Sequence, residues 1–166
     1  MSEAVPAWLK AMQNGALGEA RAKAFLMDRF WILERSVDIE GADLIIQRRI
    51  TQRNLLDKKA PNFGIVQVKF FESERTTQFI PSDYILDNQG NPREDFFVLL
   101  HSGFEENTKT FFLTPDVIKS DFTEVDIVGV KKFKIKGIQL FRSEKYLVKS
   151  NSNTLSRIEK RLEFAD

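Results

Sequence analysis

The run Phe63-Gly64-Ile65-Val66-Gln67-Val68-Lys69-Phe70-Phe71 restricts the fold more than any other stretch of the chain. It is rich in β-branched and aromatic residues and follows a polar turn, Asp57-Lys58-Lys59-Ala60-Pro61-Asn62, that holds a strand breaker. The pattern predicts a strand. Side chains on a strand alternate between faces, so Gln67 and Lys69 point one way while Val66, Val68 and Phe70 point the other. An amide and an ammonium buried without partners are costly. That face must therefore open to water, or other parts of the chain must supply partners.

The surrounding elements read as follows. Ala16 to Phe30 is rich in helix formers, and Leu17, Ala20, Ala24 and Phe25 recur at three- and four-residue spacing, which predicts one apolar stripe. Asn14-Gly15 closes a short apolar segment, Ala7 to Met12, and is expected to start this helix. Glu19 falls in the row of Ala22, Leu26 and Phe30, at the flank of the stripe. Trp31 to Arg35 reads as a strand, Asp38-Ile39-Glu40-Gly41 as a turn, and Ala42 to Arg49 as a second strand centred on Leu44, Ile45 and Ile46. Beyond the third strand, Ile80 to Leu86 reads as a short helix or a strand. Phe96 to His101 and Thr110 to Leu113 read as two strands joined by a polar loop. Thr114-Pro115-Asp116 is a helix start with proline at the first helical position. Lys131 to Ile138 alternates charged and apolar residues, as a half-exposed strand does, and Ser152 to Phe164 is an amphipathic helix carrying Leu155, Ile158 and Leu162. The sum is an α/β domain with a central mixed β-sheet.

Composition excludes several chemistries. At 166 residues the chain is expected to form a single domain, and 42% hydrophobic with 30% charged residues excludes wholesale disorder. The chain has no cysteine, which rules out disulfides, thiolate metal sites and a thiol nucleophile. A histidine-based triad would have to use His101, read as a strand-end residue near a loop. The net charge of +1 leaves the question of an anionic partner to local clusters. Arg48 and Arg49 with Arg53, Lys58 and Lys59 form one. Lys131, Lys132, Lys134 and Lys136 form another, in which Lys132, Lys134 and Lys136 share a strand face. Such a face suits phosphates, or equally a solvated sheet edge. The longest apolar run, Phe96 to Leu100, falls far short of the ~20 residues of a spanning helix. The N-terminus lacks a basic start followed by an apolar stretch, so a cytoplasmic location without a membrane partner is expected.

Asp43 lies where the turn after Gly41-Ala42 becomes a strand. If the second and third strands are hairpin neighbours, Asp43 comes near Gln67 and Lys69. Glu19 can face the sheet edge from the helix. Two carboxylates, an amide oxygen and an amine then share a neighbourhood. Hard oxygen donors suit Mg²⁺, which keeps several waters and uses one or two protein carboxylates. A metal held so activates a water and stabilises charge building on a phosphate, and a nearby lysine orients or deprotonates that water.

Gly15-Ala16-Leu17-Gly18-Glu19 on the helix, Gly41-Ala42-Asp43 before the second strand and Gln67-Val68-Lys69 in the third together resemble the PD-(D/E)XK nuclease superfamily. The Gln-x-Lys ending is similar to the Mrr-type branch and related uncharacterised families, where glutamine stands for the usual acid. The resemblance covers roughly residues 14 to 71. It implies a restriction-endonuclease-like core in αβββαβ order over about 14–113, with a peripheral strand and helices over 114–166. It further implies that Asp43, Gln67 and the Val68 backbone carbonyl hold Mg²⁺ or Mn²⁺, that Lys69 serves the attacking water, and that Glu19 is an auxiliary acid and possible ligand. Ala42 stands where the motif has proline, and Gln67 removes one negative charge beside the cation. The implied activity is metal-dependent hydrolysis of phosphodiester bonds, in DNA first. Arg48, Arg49, Lys132, Lys134 and Lys136 are the candidate contacts to nucleic acid, and a homodimer or a partner protein would supply targeting. The alternatives are a catalytically inactive relative that binds nucleic acid or protein, and an interaction subunit using the Phe-rich second half.

Overall fold

The computed structural model describes residues 4–33, 43–49 and 62–165. The first helix, α1, spans Ala7–Leu26 and leads into strands β1 (Phe30–Leu33), β2 (Leu44–Arg48), β3 (Phe63–Phe71) and β4 (Thr77–Pro81). A one-turn helix α2 (Ser82–Ile85) precedes β5 (Phe96–Ser102) and β6 (Lys109–Leu113). Then come α3 (Pro115–Asp121), β7 (Thr123–Ile127), β8 (Val130–Lys136), α4 (Gly137–Phe141) and α5 (Asn151–Phe164).

β3 forms over the residues its pattern predicts. α1 does not begin at Asn14-Gly15: it starts at Ala7, runs through both residues, and ends at Leu26. The face it buries is Gly18, Ala22 and Leu26, while Ala20 and Ala24 are exposed. Alanine is a good helix former on any face, so its recurrence marks a helix without marking its buried side. The side is chosen by contact with β3, where small residues let the backbones approach. Phe30, placed at the helix end by periodicity, opens β1 instead and is fully buried. Glu34, Arg35, the turn at 38–41, Ala42 and the polar turn up to Pro61 lie outside the described residues.

Further along, the Ile80–Leu86 stretch resolves into both readings, the end of β4 followed by α2. β5 runs one residue past His101, to Ser102. β7 forms where the sequence pattern predicts no strand, since Glu124 and Asp126 mask the short alternation of Val125 and Ile127. β8 stops at Lys136, and Ile138 belongs to α4 rather than to the strand. Gly137 makes that change of direction at a crowded point, where an added Cβ would meet the Thr76 carbonyl oxygen at 2.7 Å. α5 begins one residue before the expected Ser152, and the Ser150 hydroxyl caps it by accepting from the Asn153 amide.

Two sheets result. The five-stranded sheet has the order β1-β2-β3-β5-β6, with β3 and β5 parallel and its other neighbours antiparallel. The three-stranded sheet, β4-β8-β7, is antiparallel throughout. The chain is thus α/β, with a mixed central sheet covered on both faces. On one face α1 and α5 bury Ala22, Leu26, Leu155, Ile158 and Leu162 against Leu44, Ile46, Val66, Phe97 and Leu99. On the other, Phe133 and Ile135 of β8 join Ile80, Ile85, Ile118 and Leu140 over Phe96, Val98 and Leu100. Segments beyond residue 114, read as peripheral, therefore contribute to both cores.

Candidate active site

Residues Asp43 to Val68 make one corner of the central sheet. β2 and β3 pair antiparallel with Leu44 opposite Val66, and the Asp43 amide donates to the Val66 carbonyl at 3.1 Å. One step further the side chain replaces the backbone: the Val68 amide donates to Asp43 Oδ2 at 2.6 Å. The carboxylate thus sits beside the middle residue of Gln67-Val68-Lys69, held by a charge-assisted hydrogen bond.

Strand geometry orients the rest. The Ile65 amide donates toward β5, to the Asp95 carbonyl, so Val66, Val68 and Phe70 direct their backbone groups to the β2 side. The Val68 carbonyl therefore points to the same edge as the Asp43 carboxylate. Past it, Gln78 Nε2 from β4 donates to the Phe70 carbonyl at 3.1 Å. Gln78 is a participant that no pattern in the sequence singles out.

The Gln67 and Lys69 side chains project from the face of β3 that carries Ile65 and Phe71. Gln67 is 3% exposed, and its Oε1 is buried without a hydrogen-bond partner among the described residues. Such an orphaned acceptor costs about 1–3 kcal/mol. Lys69 is half-buried. Glu19, also half-buried, rides on α1, which covers the opposite face: a Cβ at Gly18 would stand 3.3 Å from Val68 Cγ1. Asn14 Nδ2 donates to Glu72 Oε1 at 2.7 Å, which pins the helix to the segment just after β3. The structure thus brings Asp43, Gln67, Val68 and Lys69 to one corner, and Glu19 stands on the helix behind it.

A hard cation at this corner would find the Asp43 carboxylate, the Gln67 amide oxygen and the Val68 carbonyl. Among the described residues there is no group of three or more His, Cys, Asp or Glu side chains arranged to hold a metal.

The basic candidates separate by environment. Arg48 Nε lies 3.1 Å from Glu159 Oε2, and its Nη1 lies 2.6 Å from Glu163 Oε1, so it fastens α5 to β2. The Arg49 guanidinium stacks 4.8 Å from the Trp31 ring centroid. Lys132, Lys134 and Lys136 occupy the outer face of β8, opposite the buried Phe133 and Ile135. Arg53, Lys58 and Lys59 lie outside the described residues.

His101 is 1% exposed on β5, a strand buried along its whole length rather than a solvated strand end. Its Nδ1 lies 3.1 Å from Thr110 Oγ1, and its Nε2 is buried without a partner among the described residues. Burial, with the Arg21 charge adding to it, depresses its pKa to about 4. Arg21 also stands over the Phe70 ring, on the α1 side of the same corner.

Compared with known protein families, curated proteins and solved structures, the chain matches none of them. No helix among the described residues is long and apolar enough to cross a membrane.

Proposed function

We propose that the chain is a metal-dependent nuclease of the PD-(D/E)XK type that hydrolyses phosphodiester bonds in DNA. The observation that carries this reading is the hydrogen bond from the Val68 amide to Asp43 Oδ2, which joins the two sequence motifs at one corner of the sheet. The element order supports a restriction-endonuclease-like core: a helix, three antiparallel strands, then a crossover containing α2 to a fourth strand parallel to the third.

The donors fit Mg²⁺ or Mn²⁺. Gln67 Oε1 is a buried acceptor with no hydrogen-bond partner among the described residues, Asp43 supplies the carboxylate, and the Val68 carbonyl faces the same edge. Mg²⁺ uses few protein ligands and leaves the other positions to water. Bound there, the cation would supply an activated water and neutralise charge on the phosphate. Asp43, held by Val68, keeps its carboxylate fixed against the strand. Lys69, two residues from Gln67 on the same face, holds or orients the water and the phosphate oxygens through its ammonium. Glu19, which rides on α1 over the opposite face of β3, stands outside this ligand set.

One observation favours a second reading, a catalytically inactive relative that binds nucleic acid or protein. The described residues include no cluster of three metal-ligating side chains, and Gln67 is neutral. A cleavage assay on single- and double-stranded DNA and RNA, with Mg²⁺ or Mn²⁺, separates the two. The active reading expects cutting that falls at least 100-fold in Asp43→Asn and in Lys69→Ala, on the order of a lost general acid–base or electrostatic group. Undiminished cutting by both variants refutes the site, and binding without cutting by the wild type establishes the inactive alternative.

A further inference from the structure

The three-stranded sheet turns one face outward. Antiparallel partners share a face, so Lys132 lies between Val125 and Pro81, Lys134 between Thr123 and Phe79, and Lys136 beside Thr77. Among the described residues these strands place no acid on this face. Glu124 and Asp126 pair with Phe133 and Lys131, on the inner side. The charged side chains that β8 places on the outward face are Lys132, Lys134 and Lys136, while Lys131 shares the inner side with the two acids of β7.

The tip of the hairpin is unusual in a second way. Val128 has a φ of 51° and Gly129 a φ of 81°, so both central residues of the turn lie in the left-handed region. Asn, Asp or Gly suits such a turn, whereas a β-branched residue there is strained by roughly 1–3 kcal/mol. Asp126 Oδ1 accepts from the Gly129 amide at 2.8 Å and holds the turn closed. Val128 is 98% exposed, and Ile127 and Val130 beside it are also exposed. A strained, apolar tip in full contact with water gains nothing for the fold.

We infer that this face and tip form a contact surface for a nucleic-acid duplex, with Lys132, Lys134 and Lys136 following the phosphates and Val128 entering a groove as an apolar wedge. Alternate residues on a strand recur at about 6.8 Å, so the ammonium groups make a regular row suited to a regular polyanion. Architectural DNA-binding proteins use the same combination of cations beside an inserted apolar side chain. Gln78, which bonds the Phe70 carbonyl, pairs with Ile135 on the inner face, so the lysine row lies on the far side of this sheet from that contact. The inference rests on the nuclease reading for the choice of partner.

The test is fluorescence anisotropy of a labelled 20–30-base-pair duplex with the full chain in EDTA, across a salt series, on the order of the site sizes that bent complexes use. Replacing Lys132, Lys134 and Lys136 together by Ala should weaken binding at least tenfold at low salt. It should also flatten the slope of log K against log salt by about 2–3, whereas replacement by Arg should keep both. Val128→Asn relieves the turn and removes the wedge, so it should fold at least as stably yet bind several-fold more weakly at an unchanged slope. Wild-type affinity and slope in the triple Ala variant overturn the proposal, as does binding only to vesicles of phosphatidylserine and phosphatidylcholine with none to the duplex. Lysine-dependent duplex binding with no cleavage in Mg²⁺ upholds this surface and removes the nuclease reading. Cleavage with lysine-independent binding does the reverse.

Discussion

His101 shows how far a single side chain departs from its sequence reading. Alone among the aliphatic and aromatic residues of Phe96 to Leu100, a terminal histidine suggests the strand coming out into water. The strand instead stays covered to Ser102, and the imidazole is kept neutral by burial and by Arg21. The folded pKa of about 4 lies below the ordinary 6.5, so between these values the unfolded chain takes up a proton that the folded chain refuses. Stability therefore falls as pH drops through that window and levels off below it. The loss from this residue is about 3 kcal/mol, by the equivalence of one pKa unit to roughly 1.4 kcal/mol. Urea denaturation at pH 7 and pH 4 should show His101→Gln losing less stability than the wild type by about that amount. An equal loss in both would assign the acid sensitivity to the carboxylates. The neighbourhood of Asp43 and the third strand is legible at this same scale. Asp43 comes near Gln67-Val68-Lys69 if β2 and β3 are hairpin neighbours; they pair antiparallel, and the Asp43–Val68 bond joins them. Gln78 was not legible, since its partner is a backbone carbonyl that any donor could serve.

At the level of elements, α1 separates two glycines that look alike in the sequence. Around Gly15 an added Cβ would meet nothing within 4 Å, whereas at Gly18 it would press on Val68 Cγ1 at 3.3 Å. Gly15→Ala should stabilise the chain by about 0.5–1 kcal/mol, the ordinary gain from alanine in an exposed helix interior. Gly18→Val should cost about 1–3 kcal/mol, as overpacking does, and should move the helix off the strand that carries Val68. Thermal unfolding of the two variants measures the contrast, and equal shifts would show that Gly18 has no packing role. The helix itself was legible, but its buried side was not: periodicity ranks residues by apolarity, while Gly18 and Ala22 face the sheet because they are small. β3 could be read from end to end because its composition and alternation agree, and both tertiary neighbours reinforce them. β7 is hidden because Thr123, Glu124 and Asp126, three of its five residues, are polar or acidic, and its pairing with β8 is what makes it a strand.

For the molecule as a whole, the central sheet is closed only when the two covering layers are both in place. α5 lies close against β3: a Cβ at Gly64 would stand 3.1 Å from Leu162 Cδ2. Arg29 and Arg48 fasten the same helix through Glu159, and Arg161 reaches Asp116 at 3.0 Å. Leu162→Ala should lower unfolding free energy by about 2–5 kcal/mol, as for other buried leucines. A loss under 1 kcal/mol in equilibrium denaturation would mean that α5 is an accessory to the core. The α/β class and the mixed sheet were legible from element order. The division into two sheets was not, because nothing local in β4 or β8 states which strand each will pair with.

The covering role of α5 has a consequence for how the polypeptide is made. Leu44, Ile46, Val66, Phe97, Leu99 and Phe112 await a partner that is encoded only from Asn151 onward. Translation proceeds at about 5–20 residues per second, so the part of this surface that α1 leaves uncovered waits roughly 5–20 seconds between synthesis of β2 and of α5. Nascent chains of this protein should thus be clients of co-translational chaperones until that late helix arrives.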